Sequence, residues 1–298
     1  MIKRTLYFGH PAYMKTEREQ LIIQVADTGE LRTVPIEDIG LLILDNPQVT
    51  LTHALIAKLL HYNAAVITCN ETHHPTGLFL TLDGHTLQSQ KFQAQVESSL
   101  PLRKNLWQQT VTAKICNQAA LLKAKDIKST YLTDLSKKVA SGDTGNCEAK
   151  AAAWYWKRIF PQVDNFRRDR FGFPPNNLLN YGYAILRAVV ARSLVGSGLL
   201  PTLGIHHRNQ YNAYCLADDV MEPYRPFVDA MVCKVVDHNE IWWDLSPALK
   251  KELLGIPAMD VVIDNQKSPL MNAVQRTTAS LAKCFEGSSR KILYPSLT

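Results

Sequence analysis

A chain of 298 residues with 46% hydrophobic side chains is long enough for one or two domains with a sizeable core, and its net charge of +6 suits a polyanionic partner without requiring one. No apolar run approaches the roughly 20 residues of a membrane span. The N-terminal MIKRTLYFGH lacks the apolar core of a signal peptide. Six scattered cysteines with no CxxC argue against a zinc knuckle or a redox pair and fit a reducing compartment, so a cytoplasmic protein is expected.

The first part reads as short strands. Thr5–Phe8, Gln20–Val25, Leu31–Pro35 and Leu41–Leu44 are apolar or alternating runs, with Asp27-Thr28-Gly29-Glu30 as a hairpin turn. Thr52–Tyr62 has helical spacing with Thr52 as its cap, and Ala65–Cys69 and Gly77–Leu82 are two more strands. His53, His61, His73, His74 and His85 are too irregularly placed to nominate as ligands. Beyond about residue 88 the periodicity is helical, over 89–96, 101–125, 130–140, 146–159, 176–196, 212–235, 246–254 and 268–286. The expected fold class is α+β: a β-rich domain over 1–84, then an all-helical domain over 85–298. There is no repeat and no low-complexity segment.

Chemistry concentrates in Leu203–Pro226, LGIHHRNQYNAYCLADDVMEPYRP. His206 and His207 follow Gly204 on an expected loop. Asp218, Asp219 and Glu222 follow on a helix, where spacings of three and four residues share one face. Carboxylate oxygens with an imidazole suit a hard divalent cation, and Arg208 and Arg225 flank the cluster as phosphate would require. The combination points to phosphodiester chemistry. A second acidic position lies upstream in SGDTGNCEAKAAAWYWKRIF, where Asn146 is the expected N-cap and Glu148 falls in the first turn. Either acidic group could instead simply complement a helix dipole.

With these segments in view, the chain resembles the CRISPR-associated adaptation endonuclease family, the universal integrase that inserts new spacers into CRISPR arrays. The family pattern is a helix-borne Glu, a G-x-x-H and a D-x-x-D/E-x-x-[KR] helix. Here Glu148, Gly204-Ile205-His206-His207 and Asp219-Val220-Met221-Glu222-Pro223-Tyr224-Arg225 supply it, and Asn177–Tyr183 is similar to the family's N-x-L-x-Y-G-Y helix. The EPYRP ending resembles members from type II systems, whose effector is a single large nuclease. The resemblance spans essentially the whole chain.

It implies a metal site of Glu148, His207 and Glu222, the G-x-x-H count selecting His207 over His206. Three protein ligands leave room for water or substrate phosphate. The resemblance favours Mg²⁺ or Mn²⁺ over zinc, and the imidazole tilts toward Mn²⁺. Asp219, one turn before Glu222, is a direct or supporting ligand; Asp218 and His206 are auxiliary candidates. Arg225 is the expected phosphate grip. The implied reaction is attack by the 3′-hydroxyl of a short DNA on a phosphodiester at the repeat boundary. Implied partners are double-stranded DNA, a second copy through the β domain, and a small ferredoxin-like protein bridging two dimers.

Arg167, Arg168 and Arg170, interleaved with Phe166, Phe171 and Phe173, are candidate backbone contacts. Lys104, Lys114, Lys123, Lys125 and Lys128 read as a solvated helix face. Two rivals stand beside the integrase: a non-catalytic nucleic-acid-binding subunit with the same fold, and a small-molecule metallohydrolase, whose familiar motifs (H-E-x-x-H, a Gly-rich phosphate loop, G-x-S-x-G) are absent.

Overall fold

The computed structural model describes residues 3–297; Met1, Ile2 and Thr298, which fall within the expected domains, lie outside the described residues. The chain divides into two compact units, one reaching to Thr86 and the other starting at Leu87.

The first unit contains β1 (Arg4–Phe8), β2 (Ala12–Glu17), β3 (Gln20–Val25), β4 (Leu31–Pro35), β5 (Ile39–Leu44), β6 (Thr50–Leu51), α1 (His53–His61), β7 (Ala65–Cys69) and β8 (Pro75–Phe79). These form two four-stranded sheets, ordered β1-β5-β7-β8 and β4-β3-β2-β6. In the first sheet β5 runs parallel to both neighbours, and its IGLLIL run is buried almost throughout, as a central parallel strand requires. In the second, β2 alternates, with Ala12 and Met14 buried and Tyr13 and Lys15 exposed. Thr52 caps α1 by accepting from the Leu55 N–H at 3.3 Å. Met14, Leu21, Ile36, Leu42, Leu55 and Leu59 form the centre of this unit's core.

β2 has no counterpart among the expected strands. It joins β3 through Arg18 and Glu19, both left-handed (φ 49° and 61°), which is the backbone of a two-residue hairpin built from residue types that carry no turn signal.

The second unit contains α2 (Gln88–Val96), α3 (Leu100–Ala124), α4 (Thr130–Ser136), α5 (Cys147–Trp156), α6 (Asn176–Gly196), α7 (Cys215–Met221), α8 (Arg225–His238), α9 (Pro247–Leu253), β9 (Asp260–Ile263), β10 (Gln266–Pro269) and α10 (Leu270–Phe285). The expectation of an all-helical domain is therefore corrected. β9 and β10 form an antiparallel hairpin turned by Asp264 and Asn265, both left-handed at φ 52° and 59°. Ser296 adds a bridge to Val262. The helix expected over 212–235 is also broken, because a 3₁₀ turn at Glu222–Tyr224 separates α7 from α8. Pro223 and Pro226 lack the N–H groups that would carry a straight helix through this point.

α3 organises the unit. Ser99 caps it, and it packs against α4, α5, α7, α8 and the Glu222–Tyr224 turn. α6 is buried along most of its length, so its apolar residues are spread around the helix rather than confined to one stripe. Gly182 on α6 faces α8 so closely that a Cβ there would stand 2.6 Å from Val228 Cγ1, which is why the N-x-L-x-Y-G-Y segment needs glycine at this point.

Candidate active site

Glu148 sits in the first turn of α5, and its placement depends on the turn before it. Gly142, Asp143 and Asn146 all take left-handed φ, reversing the chain into the helix. Asn146 occupies the N-cap position but makes no side-chain cap. The cap comes from Asp143, whose carboxylate accepts the N–H groups of Cys147 at 2.8 Å and Glu148 at 3.0 Å. The sequence expectation had the right helix start and the wrong capping residue. Asn146 itself takes the αL conformation rather than the extended backbone of a capping residue.

His206 and His207 lie on the loop between α6 and α7. Gly204 opens that loop: a Cβ there would fall 2.4 Å from the His207 carbonyl and 2.8 Å from Asp219 Oδ2, so the G of the G-x-x-H has a steric cause. Asp219, fully buried on α7, accepts the backbone N–H of His206 at 2.9 Å and of His207 at 3.3 Å, and receives Nδ1 of His207 at 2.5 Å. A carboxylate can only accept, so Nδ1 carries the proton and Nε2 is left for a ligand. The Asp219 hydrogen bond raises the His207 pKa; burial opposes it, and the charges of Asp219, Glu222 and Glu148 add to the rise. His206 is exposed and stacks flat on the buried indole of Trp107, with ring centroids 4.2 Å apart and planes at 3°.

Glu222 opens the 3₁₀ turn and is 5% exposed. Its Oε1 accepts from Arg225 Nε at 2.8 Å. Its Oε2 lies 2.5 Å from the ammonium of Lys114. The same ammonium donates to Glu148 Oε1 at 2.7 Å. Burial alone would raise the Glu222 pKa, but Arg225 and Lys114 outweigh it and hold the carboxyl down at about 2. For Lys114 burial opposes the charge, and Glu222 and Glu148 more than offset it, so its pKa is raised.

Lys114 thus holds Glu148 and Glu222 together, and the charges of both glutamates act on the His207 imidazole. As the side chains stand, no three His, Cys, Asp or Glu groups among the described residues are close enough to hold a metal ion together. The cation between the two glutamates is Lys114. Sequence reasoning placed this lysine on a solvated face of α3; it is 8% exposed and central to the site. Its burial is invisible in the sequence because α3 is flanked on several sides and shows no single apolar stripe.

The remaining candidates separate. Asp218 turns to Arg187 Nε and Asn212 Nδ2, both at 2.7 Å, rather than to the glutamates. Arg225 is engaged with Glu222, and its guanidinium stands 4.6 Å from the centre of the Tyr183 ring. Behind it, Asp229 accepts from Tyr183 and Tyr155 hydroxyls at 2.5 and 2.7 Å; burial raises its pKa to about 6. Arg208 is exposed and helps line a groove of about 400 Å³ beside His207, with Arg103, Asn209 and Phe285. In the arginine loop, Arg167 and Arg170 are exposed. Arg168 is not free: it donates to Asp169 O and Asn176 Oδ1, both at 2.9 Å, and to Asn180 Oδ1 at 2.7 Å. The asparagines of α6 explain this loop, since Asn176 and Asn180 also donate to the carbonyls of Arg167, Phe173 and Arg170. Phe171 and Phe173 are almost fully exposed at 91% each.

The model of the family described as "CRISPR associated protein Cas1" matches residues 6–244. The chain belongs to the Cas1 family. A curated relative, "CRISPR-associated endonuclease Cas1" from Neisseria meningitidis serogroup C (strain 8013), is 36% identical over 300 residues, covering 100% of this chain and 97% of the relative. Among solved structures, the fold is similar to that of a casposase bound to integration product, with TM-score 0.80, 19% identity and coverage of 98% and 92% of the two chains. It is also similar to a chain of a Cas6-RT-Cas1–Cas2 complex, with TM-score 0.77 and 21% identity, covering 99% of this chain and 36% of that one. No described helix is long and apolar enough to cross a membrane.

Proposed function

We propose that this Cas1-family chain is a metal-dependent DNA endonuclease and integrase that inserts short DNA fragments into a CRISPR array. The observation that carries the reading is the convergence of Glu148 and Glu222 on a single cation position beside His207, in a chain 36% identical over its whole length to a Cas1 endonuclease.

The residues suit a hard divalent ion. Glu222 Oε2 is a buried carboxylate oxygen already facing a cation, the Lys114 ammonium. Glu148 offers a second carboxylate, and the Asp219-oriented imidazole offers Nε2. Glu148, His207 and Glu222 would hold Mg²⁺ or Mn²⁺, which supplies Lewis-acid polarisation of a phosphodiester and stabilises the leaving oxygen. The protein's own part is to orient these groups. Asp219 fixes the tautomer and the loop, Arg225 holds Glu222 in register, and Tyr183 with Asp229 backs Arg225. In transesterification a 3′-hydroxyl oxygen bonds to phosphorus while the existing P–O bond breaks, so bond energy is conserved and no nucleotide cofactor is needed. Water in place of the hydroxyl gives nuclease activity.

Double-stranded DNA is the proposed substrate, met by Arg167, Arg170 and Arg208 at the surface, with Phe171 and Phe173 available for stacking on splayed bases. Two active sites are needed to integrate both ends of one fragment, and each chain carries one. A homodimer through the β-rich unit is therefore proposed, with exposed Leu31 on edge strand β4 and Phe79 on edge strand β8 as apolar contact points. The small bridging partner is proposed in line with the Cas1–Cas2 complex that one similar fold comes from. The non-catalytic alternative would have no reason to keep both glutamates and an oriented histidine around one buried point. Incubating the protein with branched DNA and Mn²⁺, with and without EDTA, tests the reading. Metal-dependent cleavage or resolution is expected, and DNA binding without turnover would favour the non-catalytic subunit.

A further inference from the structure

We propose that Lys114 is a built-in counter-ion that holds Glu148 and Glu222 together in the metal-free enzyme, and that a divalent ion must displace it to bind. The inference rests on the metal reading of the site given above. Lysine is almost never buried without a partner, and Lys114 is buried between two carboxylates, 2.7 Å from Glu148 Oε1 and 2.5 Å from Glu222 Oε2.

The competition follows from the oxygens. Glu222 has committed Oε1 to Arg225 at 2.8 Å. Oε2 is the oxygen it has left, and that is the one facing the ammonium. An ammonium and a divalent ion need the same lone pairs, so both cannot be served at once. The backbone under each carboxylate is fixed independently of Lys114. Asp143 caps the start of α5 at Glu148, and Asn117 Nδ2 donates at 2.8 Å to the carbonyl of Pro223, next to Glu222. Removing the ammonium thus leaves two negative groups converging without the cation between them, Arg225 still holding the far oxygen of Glu222, which favours a divalent ion more strongly. The displaced ammonium is a cation in search of an anion, and a DNA phosphate supplies one. Lys114 is accordingly a positioning residue that makes metal loading weak in the free enzyme and stronger with DNA, a coupling that is reciprocal.

The test measures free Mn²⁺ by electron paramagnetic resonance during titration of the full-length wild type and Lys114→Met, each with and without a 3′-hydroxyl duplex. Lys114→Met should lower the Kd for Mn²⁺ roughly tenfold in the absence of DNA. DNA should tighten Mn²⁺ binding to the wild type and do so much less for the variant. Equal or weaker Mn²⁺ binding by Lys114→Met, with the wild type still binding, overturns the lysine assignment alone. Absence of Mn²⁺ binding by both proteins overturns the metal reading and this inference with it. Should Lys114→Met fail to fold, amine acylation of the wild type decides the matter. Labelling of Lys114 should rise when Mn²⁺ is added, and unchanged labelling contradicts displacement.

Discussion

Asp219 and His207 are joined twice: the carboxylate of Asp219 receives the ring Nδ1 of His207 at 2.5 Å and its backbone N–H at 3.3 Å, and it also fixes the preceding peptide through the His206 N–H. One buried group thereby sets the tautomer, the ring orientation and the path of the loop. Partners of this kind typically contribute 10–100-fold to metal affinity or activity. Asp219→Asn should therefore lower strand transfer by about that factor, with Mn²⁺ affinity falling in parallel. Wild-type activity in this variant, measured on a 3′-hydroxyl duplex, would show that the loop orients the imidazole unaided.

The two neighbouring histidines should behave differently. His207 is held through Nδ1 by Asp219 and feels the charges of both glutamates, whereas His206 lies against Trp107. His207→Ala should abolish strand transfer, and His206→Ala should reduce it only modestly by loosening the stack. Kinetics of both variants under identical Mn²⁺ conditions check the order, and a reversed order would move the ligand assignment to His206.

Much of this site is legible in the sequence, but unevenly. The spacing of Glu148, His207 and Glu222 marks the proposed ligand set because carboxylates and imidazole carry chemistry by their identity. Gly204 and Gly182 are likewise readable afterwards as close approaches. Lys114 was not legible, since a lysine in a long helix reads as solvated unless the surrounding helices are known. The anchoring of Arg168 was not legible for a related reason: its partners Asn176 and Asn180 are 8 and 12 residues away and only meet it through the loop's folding. Helix positions followed from periodicity and from caps such as Thr52 and Ser99. The hairpin turned by Arg18-Glu19 was hidden because φ > 0 is a backbone property that these side chains only weakly announce; the one turned by Asp264-Asn265, residue types that do tolerate φ > 0, lay in a stretch read as a connection between two helices.

Glu222 makes the fold acid-sensitive in a defined window. Burial raises its pKa, but Arg225 and Lys114 bring it down to about 2, below the ordinary carboxylate value of 4.5. A carboxylate with a depressed folded pKa stabilises the protein above its unfolded value and loses that contribution as pH falls from 4.5 toward 2. The contribution is of order 3 kcal/mol. Glu222→Gln should therefore be less stable than the wild type at pH 7 in metal-free buffer, with the gap closing as pH falls below 4.5. Denaturant melts across pH 3–7 read this, and a pH-independent gap would contradict the ion-pair account.

The arginine loop divides into surface and anchor. If binding rests on phosphate neutralisation, log affinity falls with log salt at ~0.9 per duplex contact. Replacing Arg167 and Arg170 with Ala should flatten that slope by up to ~2 units while leaving thermal stability unchanged. Arg168→Ala should instead lower stability, because three hydrogen bonds within the loop and to α6 are lost. Fluorescence anisotropy over a salt series separates the two. An unchanged slope in the Arg167/Arg170 variant would return the loop to a solvated surface.

The central claim is that one metal-binding constellation carries strand transfer while DNA binding rests elsewhere. The direct measurement is transfer of a 3′-hydroxyl DNA fragment into a supercoiled plasmid bearing a CRISPR repeat, with Mn²⁺ and the small bridging partner present, for the wild type and for Glu148→Ala, His207→Ala and Glu222→Ala. DNA binding is followed in parallel by gel shift. The account predicts that the wild type integrates, that EDTA stops it, and that each variant loses integration while still binding DNA. Wild-type levels of integration by Glu222→Ala would contradict it.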